Sequence, residues 1–404
     1  MKILQINKYH YPKGGSETVY FNICNLLTEH GHSVIHFSMQ DDRNMYSPTA
    51  QYFPENFDLR KGKIIQRIRN FVRFFYNREA KKKLEALILN EKPDVAHIHL
   101  FFNSLSMSIF QALKKHQIPV VLILHDHRLL CPSSLFMLRG KRCIDCKASL
   151  YTNCTRYKCY QNDRLYSLML TFEIWLHEFF IRINNYVDRY LFISLFQTSM
   201  HLSYHQYYEG KYTRMYNFVP NLQQITPCHS KGEYFFFYGR IADEKGVRTL
   251  IEAAENFPDC RFKIAGNGPL LDEMQRISPQ NVEFMGFQTG EKLYELIKNA
   301  SFVIIPPEGI ENNPMTIIES YAYGKPVIAS DFGGVSEIVF ENRTGFLFEM
   351  KSVEGLSAKI TQANALSNDE YRIFSQNARQ FSEANFDPEP YYQKLIDIYE
   401  TIKK

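Results

Sequence analysis

Between Ile304 and Ser330 the chain reads IIPPEGIENNPMTIIESYAYGKPVIAS, and few folds accommodate such a stretch. An apolar strand over Phe302–Ile305 breaks at Pro306-Pro307. An acidic loop then leads into a helix that opens at Asn313 and Pro314, and Gly324 ends it just before a second apolar strand, PVIA. Two strands joined through one short helix pair in parallel, and parallel strands need both faces covered, so the unit belongs to a layered α/β domain. Asn is a favoured N-cap and Pro suits the first helical position, so the amides behind them, at Met315 and Thr316, are expected to offer a site to an anionic ligand. The loop delivers Glu311 to that helix start and Glu319 follows inside it. By itself the spacing fits equally an ordinary strand-helix-strand unit with two solvated carboxylates.

The same alternation runs through most of the 404 residues, a length that suggests two domains of ordinary size. In the first half, strands are expected at Lys2–Asn7, Ser33–Ser38, Asp94–His99, Val120–Asp126 and around DRYLFIS, with a helix between most of them. Residues 220–232, with Pro220 and Pro227, form the expected linker. Beyond it the pattern restarts as EYFFFYGRI, RFKIAGNGP, NVEFMGF and FVIIPP. No apolar run approaches the length of a bilayer-spanning helix, and MKILQIN reads as a first strand rather than a signal peptide, so a cytoplasmic protein is expected. A net charge of +4 gives no reason to expect a nucleic-acid partner.

Several strand ends carry residues suited to ligands. Gly14 and Gly15 precede the first helix, where a parallel sheet binds its ligands, although the dinucleotide fingerprint G-x-G-x-x-G is absent. His99 and His125 end two later strands and are candidates to touch a substrate. Arg240 and Lys245 flank the turn GRIADEKGV and could meet phosphate as a fork and a point charge. Gly266, Asn267 and Gly268 form another glycine-containing turn.

Two stretches stand apart from the alternation. Residues 60–83 hold ten Lys or Arg against one Glu, with Ile64, Ile65, Ile68, Phe71, Val72 and Phe75 at helical spacing. This reads as one basic amphipathic helix, either lying on an anionic membrane surface or packing its apolar face on the core. Cys143, Cys146, Cys154 and Cys159 have a spacing that could hold a structural zinc, or they are reduced thiols packed in a loop. Arg164 to Tyr186 reads as one long apolar helix, either core or a second surface for a lipid-like partner.

Taken in order, GGSE, LHD, GRIADEKGV, AGNGP, E-N-N-P followed by the second Glu, GKPVIAS and GG-x-x-E-I-V resemble glycosyltransferase family 4, retaining enzymes of the GT-B fold. The resemblance spans nearly the whole chain. It implies two Rossmann-like parallel-sheet domains facing across a cleft: an acceptor-side domain over 1–220 and a nucleotide-sugar domain over 221–385, with 386–404 as a helix crossing back to the first. It assigns the ribose hydroxyls to Glu319 and the donor sugar to Glu311. The diphosphate falls to Arg240 and Lys245, helped by Asn312, Asn313, Pro314, Met315 and Thr316 at the helix start and by the Gly14-Gly15 amides. The base faces the 265–269 turn and Phe287, and His125 lies near the sugar, donating a hydrogen bond.

The reaction implied is transfer of a hexose-like unit from a nucleoside diphosphate sugar to a hydroxyl of a glycan or lipid-linked glycan, with cations and backbone dipoles in place of a catalytic divalent metal; no Asp-x-Asp motif is present. A nucleotide-sugar epimerase or hydrolase of the same fold, or a non-enzymatic sugar-nucleotide-binding scaffold on the membrane, are the competing expectations.

Overall fold

The computed structural model describes residues 1–59, 61, 63–138 and 141–403. They divide into two compact units: residues 1–193, 198–215 and 389–404 make unit 1, and residues 194–197 and 216–388 make unit 2.

Unit 1 runs β1 (Lys2–Ile6), α1 (Gly15–Glu29), β2 (Ser33–Phe37), α2 (Ile64–Phe75), α3 (Arg78–Glu91), β3 (Val95–Ile98), α4 (Ser108–Lys115) and β4 (Val120–Leu124). A small antiparallel hairpin, β5 (Met137–Leu138) with β6 (Lys141–Arg142), then precedes α5 (Thr152–Tyr157) and α6 (Arg164–Trp175). The unit ends in β7 (Arg189–Phe192), α7 (Leu195–Tyr204) and β8 (Tyr212–Arg214), and α14 (Pro388–Lys403) rejoins it. Its main sheet is parallel in the order β2-β1-β3-β4-β7-β8. The order reverses between β1 and β3, and the carboxyl ends flanking such a switch point are where open α/β sheets bind ligands.

Unit 2 alternates more regularly: β9 (Tyr234–Tyr238), α8 (Val247–Ala254), β10 (Arg261–Ala265), α9 (Leu271–Ile277), β11 (Val282–Gly286), α10 (Gly290–Lys298), β12 (Ala300–Ile305), α11 (Met315–Ala322), β13 (Val327–Ser330), β14 (Gly345–Phe348), α12 (Val353–Ala365) and α13 (Asn368–Asn385). The parallel order β11-β10-β9-β12-β13-β14 is the doubly wound pattern with its switch between β9 and β12. Those two central strands, YFFFY and ASFVII, are buried along their whole length, as strands covered on both faces must be.

Residues 60–83 are not one helix. Of that stretch, Arg60 and Gly62 lie outside the described residues; α2 stops at Phe75 and α3 begins at Arg78, because Asn77 leaves helical geometry and its side chain caps the second helix by accepting from the Ala80 amide. The core-packing alternative is also reversed. The buried residues of α2 are Asn70, Arg73 and Phe74, while Ile64 (75% exposed), Ile65 (79%), Ile68, Phe71 and Val72 face outward. Arg73 can be buried because Glu55 (3.2 Å) and Glu79 pair with it, and Asn70 because it donates to the Asp58 carbonyl at 2.9 Å. The apolar helix expected over 164–186 ends at Trp175 and passes into a short π-turn over Leu176–Phe180. Its Leu165, Leu168, Phe172, Phe179 and Phe180 are also exposed, and Phe172 meets Phe75 edge-on at 5.1 Å. No helix among the described residues is long and apolar enough to cross a membrane.

Candidate functional site

In unit 2 the chemistry gathers at the carboxyl ends of β9 and β12. Lys245, in the turn after β9, forms an ion pair with Glu311, in the loop after β12. The neighbouring carboxylate raises the lysine's pKa against the opposing effect of burial, so the ammonium stays charged. Arg240 is more exposed and, among the described residues, pairs with Glu244 at 3.5 Å. The Glu311 loop is braced from behind by the Gly333-Gly334 pair. The Gly334 amide donates to the Glu311 carbonyl at 2.7 Å, and a Cβ on Gly334 would lie 1.7 Å from the Asn312 oxygen, so the loop cannot close on any larger residue.

Glu319 sits on α11 two turns further on. Its carboxylate accepts from the Tyr238 hydroxyl at 3.2 Å, and the same hydroxyl lies 2.9 Å from the Thr316 carbonyl. Burial pushes the Glu319 pKa up to about 7, with Tyr238 pulling the other way. A group poised there accepts hydrogen bonds from ligand hydroxyls in its ionised form. Tyr294 and Tyr323 stack beside it with ring centroids 5.6 Å apart.

Asn313 is not the helix cap expected from its sequence position. Pro314 occupies the N-cap position, and Asn313 accepts from the Asn217 amide at 2.7 Å while its own carbonyl accepts from the Asn217 side chain at 3.1 Å. The α11 start is therefore fixed by a partner 96 residues away. In the 265–269 turn, Gly266 and Gly268 are required by close packing: a Cβ on either would strike the Gly239 or Ile241 carbonyl, at 1.8 and 2.2 Å. Asn267 folds back to accept from the Gly268 amide, and Phe287 projects into solvent beyond β11.

Unit 1 places a row of histidines at its switch point. His125, just past β4, meets His99 at 3.0 Å through its Nε2, and His99 reaches Gln5 on β1, also at 3.0 Å. The rings stack at 5.2 Å, with His97 beneath at 4.7 Å, and His97 meets the Tyr399 hydroxyl of α14 at 2.6 Å. Burial lowers His125 to about 4 and His97 to about 3, so the row is neutral near pH 7. With the Gln5 oxygen facing His99, His99 donates to Gln5 and accepts from His125, which sets the tautomer of His125. Gly14 and Gly15 open α1, and no described residue beyond the chain neighbours and the helix's own backbone lies within 4 Å of where a Gly15 Cβ would project.

A family model described as Glycosyltransferase Family 4 matches residues 13–221, more than half of the chain, and one described as Glycosyl transferases group 1 matches 219–381. The chain belongs to glycosyltransferase family 4. An uncharacterised glycosyltransferase of Methanocaldococcus jannaschii is 29% identical over 43% of this chain, which spans only half of that relative's length. An uncharacterised protein of the cps region of Klebsiella pneumoniae is 22% identical over 84% of the chain and 87% of its own. Among solved structures, Anabaena HepE in complex with UDP and glucose superposes with a TM-score of 0.65 at 17% identity over 99% of both chains, and the Thermosynechococcus elongatus sucrose-phosphate synthase with 0.70 at 18% over 99% and 98%. These likenesses establish the GT-B architecture of two parallel-sheet, Rossmann-like domains.

Of the residues that the family resemblance singles out, the structure brings Lys245 and Glu311 into contact and sets Glu319 on the helix that follows. Of the two readings of the cysteine stretch, the packing fits reduced thiols in a loop. Among the described residues no group of three or more His, Cys, Asp or Glu side chains is disposed to hold a metal ion. Cys146 and Cys154 are packed with Tyr151 and Ile174, against Cys159 and Trp175, and burial pushes the Cys146 thiol up to about 12. Sequence reasoning passed over Tyr238, Gln5 and the bracing role of Gly333-Gly334. Tyr238 ends a strand of aromatic residues, and only its hydroxyl distinguishes it from core.

Proposed function

We propose that this family 4 enzyme transfers a hexose-like unit from a nucleoside diphosphate sugar to a hydroxyl of a glycan or lipid-linked glycan, with retention at the anomeric carbon, in cell-surface polysaccharide synthesis. The observation that carries the reading is the Lys245–Glu311 pair at the unit 2 switch point, with Glu319 following on α11. In this reading a donor diphosphate takes over Lys245, with Arg240 and the first amides of α11 adding positive potential, and Glu311 is released to the hydroxyls of the sugar. Leaving-group charge is then met by fixed cations and dipoles, and no divalent metal is called for. Glu319, ionised, holds the ribose hydroxyls. In unit 1, His125 and the Gly14-Gly15 amides are assigned to the reacting sugar phosphate. The names of relatives point the same way: the cps-region protein, and putative colanic acid glycosyltransferases from Salmonella typhimurium and Escherichia coli, are tied to surface polysaccharides. The outward apolar face of α2, flanked by Arg67 and Arg69, suits a peripheral site on an anionic membrane.

Screening UDP-, GDP-, ADP- and dTDP-sugars by thermal shift selects the donor, because a ligand of the folded state raises stability by mass action. Transfer by the wild type, its loss in Glu311→Ala with nucleotide affinity kept within about threefold, and persistence of activity in a chelator are expected. Conversion of donor without any acceptor, or full transfer by Glu311→Ala, would refute the assignment.

A further inference from the structure

Unit 1 holds a basin of about 1140 Å³ that neither the histidine row nor the donor chemistry uses. It opens past the carboxyl ends of β1 and β2 and is walled by α2 and by the Tyr160–Tyr166 segment. Seven Lys or Arg side chains line it against three carboxylates. Part of that charge is neutralised internally: Arg43 is held by Asp41 at 2.8 Å, and Arg73 by Glu55 and Glu79. Lys8, Lys61 and Lys63 form no ion pair with any described carboxylate. Lys8, at the floor, has its pKa lowered by burial and by the nearby Lys13 and Arg128, with Tyr9 opposing. Unneutralised cations gathered in a concave, partly desolvated site lower their energy by taking an anion.

The other walls narrow the choice of anion. Tyr9 and Tyr11 lie edge to face at 5.5 Å, and Tyr160 stacks on Tyr166 at 4.8 Å, giving aromatic faces on two sides. Ile65 belongs both to the basin lining and to the exposed stripe of α2, so the rim runs directly onto an apolar surface. A soluble sugar phosphate leaves that surface bare, and a phospholipid headgroup leaves most of the basin unfilled. The combination points to a ligand with a glycan, one or two phosphates and a hydrocarbon chain.

We infer that the basin binds the phosphate-bearing head of a lipid-linked glycan acceptor, with Lys8, Lys61 and Lys63 on the phosphates and the hydrocarbon chain leaving over Ile65 onto the outer face of α2. This rests on the transferase reading and assigns its acceptor to one chemical class.

The test titrates the whole chain with farnesyl diphosphate, a soluble lipid diphosphate, and with inorganic diphosphate, alongside sedimentation with phosphatidylcholine vesicles with and without phosphatidylglycerol. Farnesyl diphosphate is expected to bind at least about tenfold more tightly than inorganic diphosphate, since each methylene that leaves water adds affinity. Lys8→Met and Lys63→Ser should each weaken it by about tenfold or more while nucleotide binding stays unchanged. Ile65→Ser should weaken farnesyl diphosphate and spare inorganic diphosphate. Lys63 lies on an exposed turn before α2, so its substitution tests the site even where Lys8→Met disturbs folding.

Equal affinity for the two diphosphates would make the basin a free-phosphate site and overturn the proposal. So would competition by soluble glycerophosphoglycerol, the phosphatidylglycerol headgroup without its chains, which would make it a headgroup site, or competition by the nucleotide. Indifference to both lysine substitutions would sink it as well. If no nucleotide sugar binds at all, the transferase reading fails separately, and the farnesyl diphosphate titration still reports on the basin.

Discussion

Substituting Glu319 with Gln isolates the cost of holding a carboxylate at the second turn of α11. In the folded chain its pKa is raised from an ordinary 4.5 to about 7. Below pH 4.5 both folded and unfolded chains carry the proton and the site costs nothing. Between 4.5 and 7 the unfolded chain releases its proton while the folded chain keeps it, so stability falls with rising pH across that window and levels off above it. At about 1.4 kcal/mol per pH decade the full penalty is about 3 kcal/mol. Part of the side chain remains open to solvent, which screens the burial, and about 2 kcal/mol is the working figure. Gln keeps the shape and cannot ionise. Glu319→Gln should therefore match the wild type near pH 4.5 and exceed it at pH 8.5 by about 2 kcal/mol, or about 4–8 °C in Tm for a unit of this size.

Nucleotide binding carries the same signature with the opposite sense. Ribose hydroxyls favour the ionised carboxylate, so the wild-type Kd should fall as pH rises toward 7, by up to about tenfold per pH decade, and then level off. Glu319→Gln should bind more weakly, with no such slope. The assays are fluorescence-monitored melts across pH 4.5–8.5 and calorimetric titration with the nucleotide selected by the donor screen. A Tm difference between variant and wild type that is the same at both ends of the pH range would refute the reasoning.

His99→Ala removes the partner that orients His125; kcat should fall by roughly tenfold to a hundredfold with donor KM little changed, and His99→Gln should restore part of the loss. A matching rise in KM, or loss of folded protein in both variants, would show the row to be scaffold only. Because burial holds His125 near 4, no histidine limb is expected in the pH–rate profile between 5.5 and 8, and a limb in that range that survives Glu319→Gln would contradict the neutral relay. Ile64→Ser with Ile68→Ser should weaken sedimentation with phosphatidylglycerol vesicles by at least about tenfold, since each exposed aliphatic side chain contributes on the order of 1–2 kcal/mol when buried in the interface. Sedimentation indifferent to the substitutions, to anionic lipid and to salt would remove α2 from the membrane.

Strand and helix order were legible because parallel strands leave long apolar runs and glycine punctuation, which the FFFY, VIIPP and GKPVIAS segments carry openly. The outward face of α2 was not, since amphipathic spacing identifies a stripe and not its direction. Direction was decided by Glu55, Glu79 and the Asp58 carbonyl, which satisfy Arg73 and Asn70 inside the fold, and Glu55 and Asp58 reach α2 from the preceding loop. Asn313 misled for a related reason. Local rules make it a cap, while Asn217, brought in by the tertiary fold, takes its hydrogen-bonding groups. The two glutamates were visible as residues, but the burial that raises Glu319 and the tyrosine 81 positions earlier that donates to it come from the tertiary fold, and no spacing rule reaches that far.

The membership of α14 in unit 1 sets an order of assembly. Tyr391, Leu395, Ile398 and Tyr399 are buried, and the helix closes against residues from the opposite end of the chain through His32–Tyr392, Asp94–Lys403 and His97–Tyr399. On the ribosome, unit 2 is complete once residue 388 has emerged, whereas unit 1, begun first, still has its α14-binding surface uncovered. The nascent chain must therefore carry a nearly finished first domain with an open apolar seam through the whole synthesis of the second, and it is during that interval that a chaperone or the membrane has most to cover.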